Sequence, residues 1–387
     1  MRRIRVAHVI TRLCKGGAQE NTFHTVRLAH RDRYEVDLIS GPTQGAEGSI
    51  EDAVRDAGID ILRVPNLVRE VRPAQDVRAY RNLLELFRAR RYDIVHTHTS
   101  KAGYLGRLAA ARARVPIIVH TPHGHIFFGY FNTILTAVFT LMERHAARHS
   151  DKLIALTPRG IREHLEQGVG RPEQWTSIFS GIDLHPFEDA VRRRDATRAK
   201  LEIPEDAIVI GGVGRLEPIK GFSYFIAAAR IVAQRVPQAH FIVVGDGSMA
   251  DELRRAGADL GSRLRFLGLR KDVPNLMAAM DVFVAPSVNE GMGRVLVEAA
   301  AAGVPSVASA VGGVPDIVRD GETGFLVPPK DANALAEAIL RLTSDVSLRA
   351  RIGAEARAHA QGFSLDRMVT EIETLYEKLI EEKQLDT

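Results

Sequence analysis

The sequence predicts an α/β protein made of two successive doubly wound units of parallel sheet. Three observations carry this. Short β-rich apolar runs alternate with longer helix-periodic runs, the pattern of strands joined by helical crossovers. The strand candidates are short, mainly apolar stretches, the pattern of parallel sheets covered by helices. The rhythm also stops once and restarts, across the turn-rich and then charged segment SGIDLHPFEDAVRRRDATRAKLEIPEDA that begins at Ser180. A chain of 387 residues fits two domains of about 100 to 200 residues better than one core.

In the first half the expected strands are Ile4 to Ile10, Glu35 to Ser40, Asp60 to Val64, Ile94 to Thr97, Ile117 to Thr121 and Lys152 to Leu156. In the second they are Ile208 to Val213, His240 to Val244, Leu264 to Leu267, Val282 to Ala285, Ser306 to Ser309 and Gly324 to Val327. Helical runs separate most of them. One, Asp76 to Arg90, places Val77, Tyr80, Leu83, Leu84 and Phe87 at helical spacing with arginines opposite. The boundary is expected near Gly181, with a first domain over 1–180 and a second over 181–365. The run 366–382 carries Met368, Ile372, Leu375 and Leu379 on one stripe after the strands are exhausted. It must dock on something already folded, and we expect the first domain.

Composition narrows the function classes. Hydrophobic residues make up 45% and charged residues 26% of the chain with both signs mixed, which excludes disorder and fibrous repeats. The one cysteine, Cys14, can form neither an internal disulfide nor a Cys-based zinc site, and it fits a reducing cytoplasm. The start MRRIRVAHVI is read as a buried strand, because its apolar run is short and leads into a Gly-rich loop. No run approaches the roughly 18 apolar residues of a membrane span. A formal charge of +4 with scattered arginines suits anionic small molecules or a membrane surface, and nucleic acid is not expected as a partner.

The chemistry concentrates at strand ends. After Ile208 to Val213 comes GRLEPIKG, Gly214 to Gly221, a Gly-bracketed turn that opens a helix. Backbone N–H groups at such a turn suit an anion, and Arg215 and Lys220 add a fork and a point charge matched to a diphosphate. A surface turn with two solvated cations is the bland alternative; the missing G-K-[ST] ending excludes a P-loop. Later, EGMGRVLVE sets Glu290 in a loop and Glu298 about two turns along a helix that is well formed from Val295 onward, with Gly291 and Gly293 making a tight turn. Two carboxylates near a helix start are suited to sugar and ribose hydroxyls. Two ordinary helix glutamates would look the same.

GRLEPIKG followed by EGMGRVLVE resembles the signature of the family 4 retaining glycosyltransferases of GT-B fold. The similarity covers essentially the whole chain: GGAQE, HTHTSKAG, the strand ending HTPHG, the linker SGID, VGDG and the two late motifs occur in order. The resemblance implies two Rossmann-like domains facing across a cleft, the first holding an acceptor and the second a nucleotide-sugar donor. It assigns Arg215 and Lys220 to the donor diphosphate, Glu290 to the sugar and Glu298 to the ribose. Gly291, Met292 and Gly293 would offer backbone to sugar and phosphate. It puts the nucleobase against the backbone around Leu269 and Arg270. VGDG, with Gly245 and Asp246, is a strand-end loop facing the same crevice as Gly214, and Asp246 is either a functional residue or a turn residue before a helix. No D-x-D pair follows an early strand, so no catalytic metal is expected and the cationic loop is expected to replace it.

On the acceptor side, Gly16 and Gly17 follow the first strand as a phosphate-sized nest, without the spacing or the acid of a dinucleotide site. The resemblance turns this loop toward the donor. Four histidines, His96, His98, His120 and His123, fall at two strand ends. Zinc is the first thought, but pairs at i, i+2 and i, i+3 project uncertainly for a convergent site. The resemblance instead makes His123 the cleft histidine that contacts the donor sugar, and a core histidine is the other reading. His98, Ser100 and Lys101 are candidate acceptor ligands. The segment 126–142, rich in aromatic and aliphatic residues, either lies on a membrane surface or is buried against the first sheet with Arg144, His145, Arg148 and His149 outward.

The leading expectation is an enzyme that moves a hexose or N-acetylhexosamine from a UDP-sugar to a cell-envelope or lipid-linked glycan acceptor. It is expected in the cytoplasm, peripheral on the inner membrane face. Retention is implied by the resemblance, and no carboxylate nucleophile is evident, which favours same-face displacement assisted by the leaving diphosphate. A GT-B-like sugar-nucleotide epimerase and a sugar-nucleotide sensor without turnover are the alternatives. UDP release from UDP-sugars separates the sensor from the transferase.

Overall fold

The computed structural model describes residues 2–44, 48–124 and 133–385. Among them, the strands of the first sheet are β1 (Ile4–Ile10), β2 (Tyr34–Ser40), β3 (Ile61–Arg63), β4 (Ile94–His98), β5 (Ile117–Thr121), β6 (Lys152–Ala155) and β7 (Trp175–Ser177). The second sheet holds β8 (Ile208–Val213), β9 (Ala239–Val244), β10 (Leu264–Phe266), β11 (Val282–Ala285), β12 (Ser306–Ser309) and β13 (Gly324–Val327). Their orders are β3-β2-β1-β4-β5-β6-β7 and β10-β9-β8-β11-β12-β13, with neighbouring strands parallel. The chain divides into two compact units, Met1–Gly181 with Leu365–Thr387, and Ile182–Ser364.

Alternation along the buried strands sorts side chains onto the two faces of the first sheet. Ile4, Val6, Ile94, Ile117 and Val119 pack on one side. Ala7, Val9, Val95 and Ile118 pack on the other, against the helices Pro73–Arg90 and Ser100–Ala113. The first face is closed by the helix Leu365–Glu382, whose Met368, Ile372, Leu375 and Leu379 share its core with Val369 and Tyr376. Polar contacts fix its register: Arg33 Nη2 lies 2.7 Å and the Tyr34 hydroxyl 2.5 Å from the Glu377 carboxylate. This helix is therefore a structural layer of the first unit.

Three local readings differ from the structure. The strand β7 was not anticipated, because three residues with one large apolar side chain carry no period. In the helix Pro73–Arg90 the buried stripe is Ala79, Leu83 and Phe87, while Val77 is 51% exposed and belongs to the solvent side. The segment after Gly181 holds helices His185–Ala190 and Arg194–Lys200. Both are too short to show a period. The second is held by charge: Arg194 and Arg198 grip the two oxygens of Asp281 at 2.6 and 2.5 Å, and the same carboxylate accepts the Val209 N–H.

Leu379 is 1% exposed inside the core that joins the last helix to the first sheet. Leu379→Ala is expected to cost about 2–5 kcal/mol. A urea titration checks it, and an unchanged midpoint would remove the helix from the core.

Candidate functional site

In a doubly wound sheet, ligands bind outside the carboxyl ends of the strands where the strand order reverses. In the second unit that point lies between β8 and β11, because β9 and β10 run out to one side and β12 and β13 to the other. The loops beyond these ends are laced to one another in the same order as the strands. Gly245 N–H donates to Gly268 O (2.9 Å), Leu216 N–H to Asp246 O (2.9 Å), Val288 N–H to Ile219 O (2.8 Å) and Gly313 N–H to Glu290 O (3.1 Å). Glycine makes the approach possible. A Cβ on Gly221 would sit 2.0 Å from Pro286 O, on Gly245 1.9 Å from Gly214 O, and on Gly312 1.8 Å from Glu290 O. Gly245 and Gly312 also have φ of 134° and 47°, which side chains disfavour.

At the switch point itself Lys220 Nζ lies 2.5 Å from Glu290 Oε2, and Ser287 Oγ donates to the same oxygen at 3.2 Å. GRLEPIKG and EGMGRVLVE, 70 residues apart, thus meet at a mostly buried ion pair. Gly214 and the exposed Arg215 stand on the first loop. On the second, Gly291 is exposed, Met292 is buried, and Gly293 at φ 81° caps the helix Arg294–Ala301, which carries Val295 and a half-buried Glu298. Asp246 is exposed and its carboxylate takes the Gly247 N–H. Leu269 is 81% exposed beyond β10, and Arg270 is braced by a two-pronged contact with Asp272 at 2.8 and 2.7 Å.

In the first unit the reversal lies between β1 and β4. Here the loops meet through threonines, Thr11 Oγ1 standing 3.2 Å from Thr99 Oγ1 and accepting the Ala102 N–H. Gly16 is extended and caps the helix Gly17–Leu28. Ser100 is exposed at the start of its helix. The Lys101 ammonium contacts the Glu70 carbonyl and lies 2.6 Å from Asp76 Oδ1.

The histidines divide by the pleat. Thr97 pairs with His120 across β4 and β5, so His120 shares the Thr97 face, bonding Thr97 Oγ1 at 2.9 Å beneath Gly103. His96 and His98 lie on the opposite face and are joined there by His8, which pairs with His96 across β1 and β4. His8 Nδ1 meets His98 Nε2 at 2.9 Å, and His98 Nδ1 meets His123 Nε2 at 2.8 Å. The expected quartet is thus corrected: His120 leaves it and His8 enters. His98 is also corrected as an acceptor ligand, being 1% exposed with both ring nitrogens bonded inside the protein. His123 is half-buried just beyond β5 with φ at 61°, a left-handed conformation held at a strand end. His8, His96 and His98 also bring one nitrogen each within 4.8 Å of one another.

Burial, the largest cause in each case, pushes the buried imidazoles toward neutrality: His8 to about 3, and His96, His98 and His120 well below the usual histidine range. Positive neighbours act the same way, Arg31 on His8 and Arg107 on His120. No described helix is long and apolar enough to cross a membrane. Of the segment 126–142, residues 126–132 lie outside the described residues. The helix Thr133–Ala147 shows Ile134 at 77%, Leu141 at 60%, Val138 at 46% and Leu135 at 44% exposure, with Arg144, His145 and Arg148 also exposed and His149 half-buried.

Comparison with known proteins accounts for this layout. Residues 207–345 match the family model for glycosyl transferases group 1, and residues 16–178 the model for the glycosyl transferase 4-like domain. The chain is 31% identical to the UDP-Gal:alpha-D-GlcNAc-diphosphoundecaprenol alpha-1,3-galactosyltransferase of Escherichia coli, over 98% of both proteins. It is also 31% identical to the D-inositol 3-phosphate glycosyltransferase of Streptomyces scabiei, over 91% of this chain and 84% of that protein. Among solved structures, Anabaena HepE in complex with UDP superimposes with a TM-score of 0.81 at 27% identity, covering 97% of this chain and all of that one. HepE in complex with UDP-glucose gives 0.79.

The neutral histidines make stability depend on pH. Each is uncharged when folded but regains its ordinary value near 6.5 when unfolded. Their contribution is therefore complete above pH 6.5 and declines as pH falls toward the folded value, which for His8 is about 3. The slope is up to about 1.4 kcal/mol per histidine per pH unit. Urea midpoints at pH 7.5 and 5.5 should differ accordingly, and His120→Asn should flatten the dependence; a pH-independent midpoint would contradict the burial of these charges.

Proposed function

The chain belongs to the group 1 glycosyltransferases, of family 4 type and GT-B fold, and from that premise we propose that it transfers a hexose or N-acetylhexosamine from a UDP-sugar to a lipid-linked glycan acceptor with retention. The Lys220–Glu290 pair at the switch point is the observation that carries the reading. In the structure these two charges satisfy one another. A sugar diphosphate offers each a replacement partner: phosphate oxygens for Lys220, sugar hydroxyls for Glu290. Arg215 joins Lys220 in neutralising the diphosphate as it leaves, and this charge takes the place of a metal. Glu298 holds the ribose, the bared Leu269 and the backbone at Arg270 hold the base, and Gly214, Gly245, Asp246, Gly291, Met292 and Gly293 supply close backbone. Gly16 and Gly17 give the first unit a backbone turn suited to an anion.

His123 acts at the reacting sugar. With no carboxylate nucleophile assigned, the acceptor hydroxyl enters on the face from which the diphosphate departs, and the leaving phosphate takes its proton. Ser100 is the exposed candidate for the acceptor, Lys101 would join it by exchanging Asp76 for a ligand, and His98 is enclosed by His8 and His123. Support for a UDP donor comes from HepE, solved with UDP and with UDP-glucose, and support for a diphospholipid acceptor from the name of the Escherichia coli relative. The exposed Ile134, Val138 and Leu141 beside Arg144 and Arg148 fit a peripheral membrane contact.

The direct experiment supplies UDP-galactose and a GlcNAc-diphospholipid to the purified protein with excess EDTA and follows UDP and glycolipid. Turnover should persist with the chelator, and Lys220→Ala or Arg215→Ala should each lower it by about 10²-fold or more with the fold intact. Wild-type rates in both variants would sink the diphosphate assignment. UDP released without glycolipid would point to hydrolysis, and neither product with any UDP-sugar to a sensor.

The membrane contact is tested by sedimentation with anionic vesicles. The double variant Ile134→Ser, Leu141→Ser should lose most of the vesicle-bound fraction, and wild-type protein that stays in the supernatant would refute the contact.

A further inference from the structure

Six groups of the first unit form one line of hydrogen bonds. Thr121 Oγ1 meets His96 Nε2 at 2.8 Å, His96 Nδ1 meets the Tyr376 hydroxyl at 2.6 Å, and that hydroxyl lies 3.4 Å from His8 Nε2. His8 Nδ1 meets His98 Nε2 at 2.9 Å, and His98 Nδ1 meets His123 Nε2 at 2.8 Å. Tyr376, on the last helix, and His8, His96 and His98 are at most 3% exposed. A neutral imidazole owns one N–H and one acceptor nitrogen, and every N···N contact uses one hydrogen. Assigning one ring therefore assigns the next.

Tyr376 has a single hydroxyl hydrogen and two imidazole neighbours. At 2.6 Å the contact with His96 Nδ1 has the length of an O–H donor bond, while 3.4 Å to His8 is long. Phenol is also the stronger acid, so the hydroxyl donates to His96 Nδ1, and His96 Nε2–H donates to Thr121. The phenolic oxygen is then left to accept His8 Nε2–H. His8 Nδ1 becomes an acceptor, so His98 must carry its hydrogen on Nε2. His98 Nδ1 is then an acceptor in turn, and His123 must carry its hydrogen on Nε2.

We propose that Tyr376, His8 and His98 are positioning residues for His123, a relay that holds its ring in place and fixes it as the Nε2–H tautomer with Nδ1 as an acceptor. The role in transfer rests on the reading of His123 at the reacting sugar. A ring presenting an acceptor nitrogen matches a hydroxyl and repels a phosphate oxygen, so the relay selects the kind of group that His123 can meet. The burial that keeps His8, His96 and His98 neutral supports it. A metal shared by these rings fits the spacing less well. Two nitrogens bound at about 2.0–2.1 Å on a tetrahedral ion stand about 3.3 Å apart, farther than the 2.9 Å between His8 Nδ1 and His98 Nε2.

The test uses full-length protein labelled with ¹⁵N-histidine, with His123→Asn to assign its signals. At pH 7 the His123 pair should show a protonated Nε2 and a bare Nδ1. A protonated Nδ1, or a charged ring, overturns the relay. So does a stoichiometric metal in the purified protein whose removal shifts these signals. Tyr376→Phe deletes only the hydroxyl. It should mix the His123 tautomers and lower kcat roughly 10-fold, by analogy with the outer partners of metal-bound histidines, with the donor KM unchanged. Mixed tautomers with an unchanged kcat would keep the relay and overturn the role of His123 in transfer. An unchanged tautomer in Tyr376→Phe would overturn the control by Tyr376, and the wild-type spectrum decides the tautomer even if that variant fails to fold.

Discussion

Backbone contact between neighbouring strand-end loops is the constraint from which the second unit's site follows. A β-sheet ends where its ladder ends, and the loops beyond it ordinarily part company. Here Gly268, Gly245, Gly214, Ile219, Val288, Glu290 and Gly313 continue the hydrogen bonding outward in the order of the strands. The approach requires missing side chains at Gly221, Gly245 and Gly312, each of which faces a carbonyl oxygen at 2.0 Å or less from where a Cβ would be. Because the loops are locked to one another, Lys220 and Glu290 are held at a fixed separation although they come from different crossovers. Rigid placement of this kind is what electrostatic stabilisation of a leaving group requires, since no reorganisation is then needed as charge develops.

The first unit solves the same problem with side chains. Its strand ends meet through Thr11 and Thr99, and His123 is braced from behind by His98 and His8. The bracing passes to Tyr376, so the last helix both covers the sheet and ends the polar line within it. Buried polar groups in such a line are costly unless every member is satisfied.

Much of this was legible in the sequence, for identifiable reasons. Parallel strands covered on both faces are mainly apolar runs, so twelve of the thirteen strands among the described residues were legible; β7, with Trp175 as its one large apolar residue, did not offer such a run. The two motif loops of the second unit were legible because a Gly-bracketed cation pair and a Gly-flanked glutamate are chemical patterns carried in a few consecutive residues. The histidine line was not, because it depends on register. Nothing local in IRVAHVI says that His8 lies beside His96, or that Thr97, rather than His96, is the neighbour of His120. The pairing of Arg194 and Arg198 with Asp281 was hidden for the same reason, about 85 residues of chain separating the partners. Tyr376 was not singled out, because the stripe read on that helix is Met368, Ile372, Leu375 and Leu379.

The mutual neutralisation of Lys220 and Glu290 has a consequence for what the second unit refuses. An isolated lysine in such a crevice would attract any small anion, and the cell is full of inorganic phosphate. Here a bare phosphate that drew Lys220 away would strand the Glu290 carboxylate, largely shielded from water, beside Ser287 alone. Abandoning a partly buried charge costs more than one exposed contact returns. Under the proposed donor assignment a sugar nucleotide would escape that cost, because it brings hydroxyls together with its phosphates. The pair would then work as a two-key lock, opening only for a molecule that carries both chemistries at the right separation.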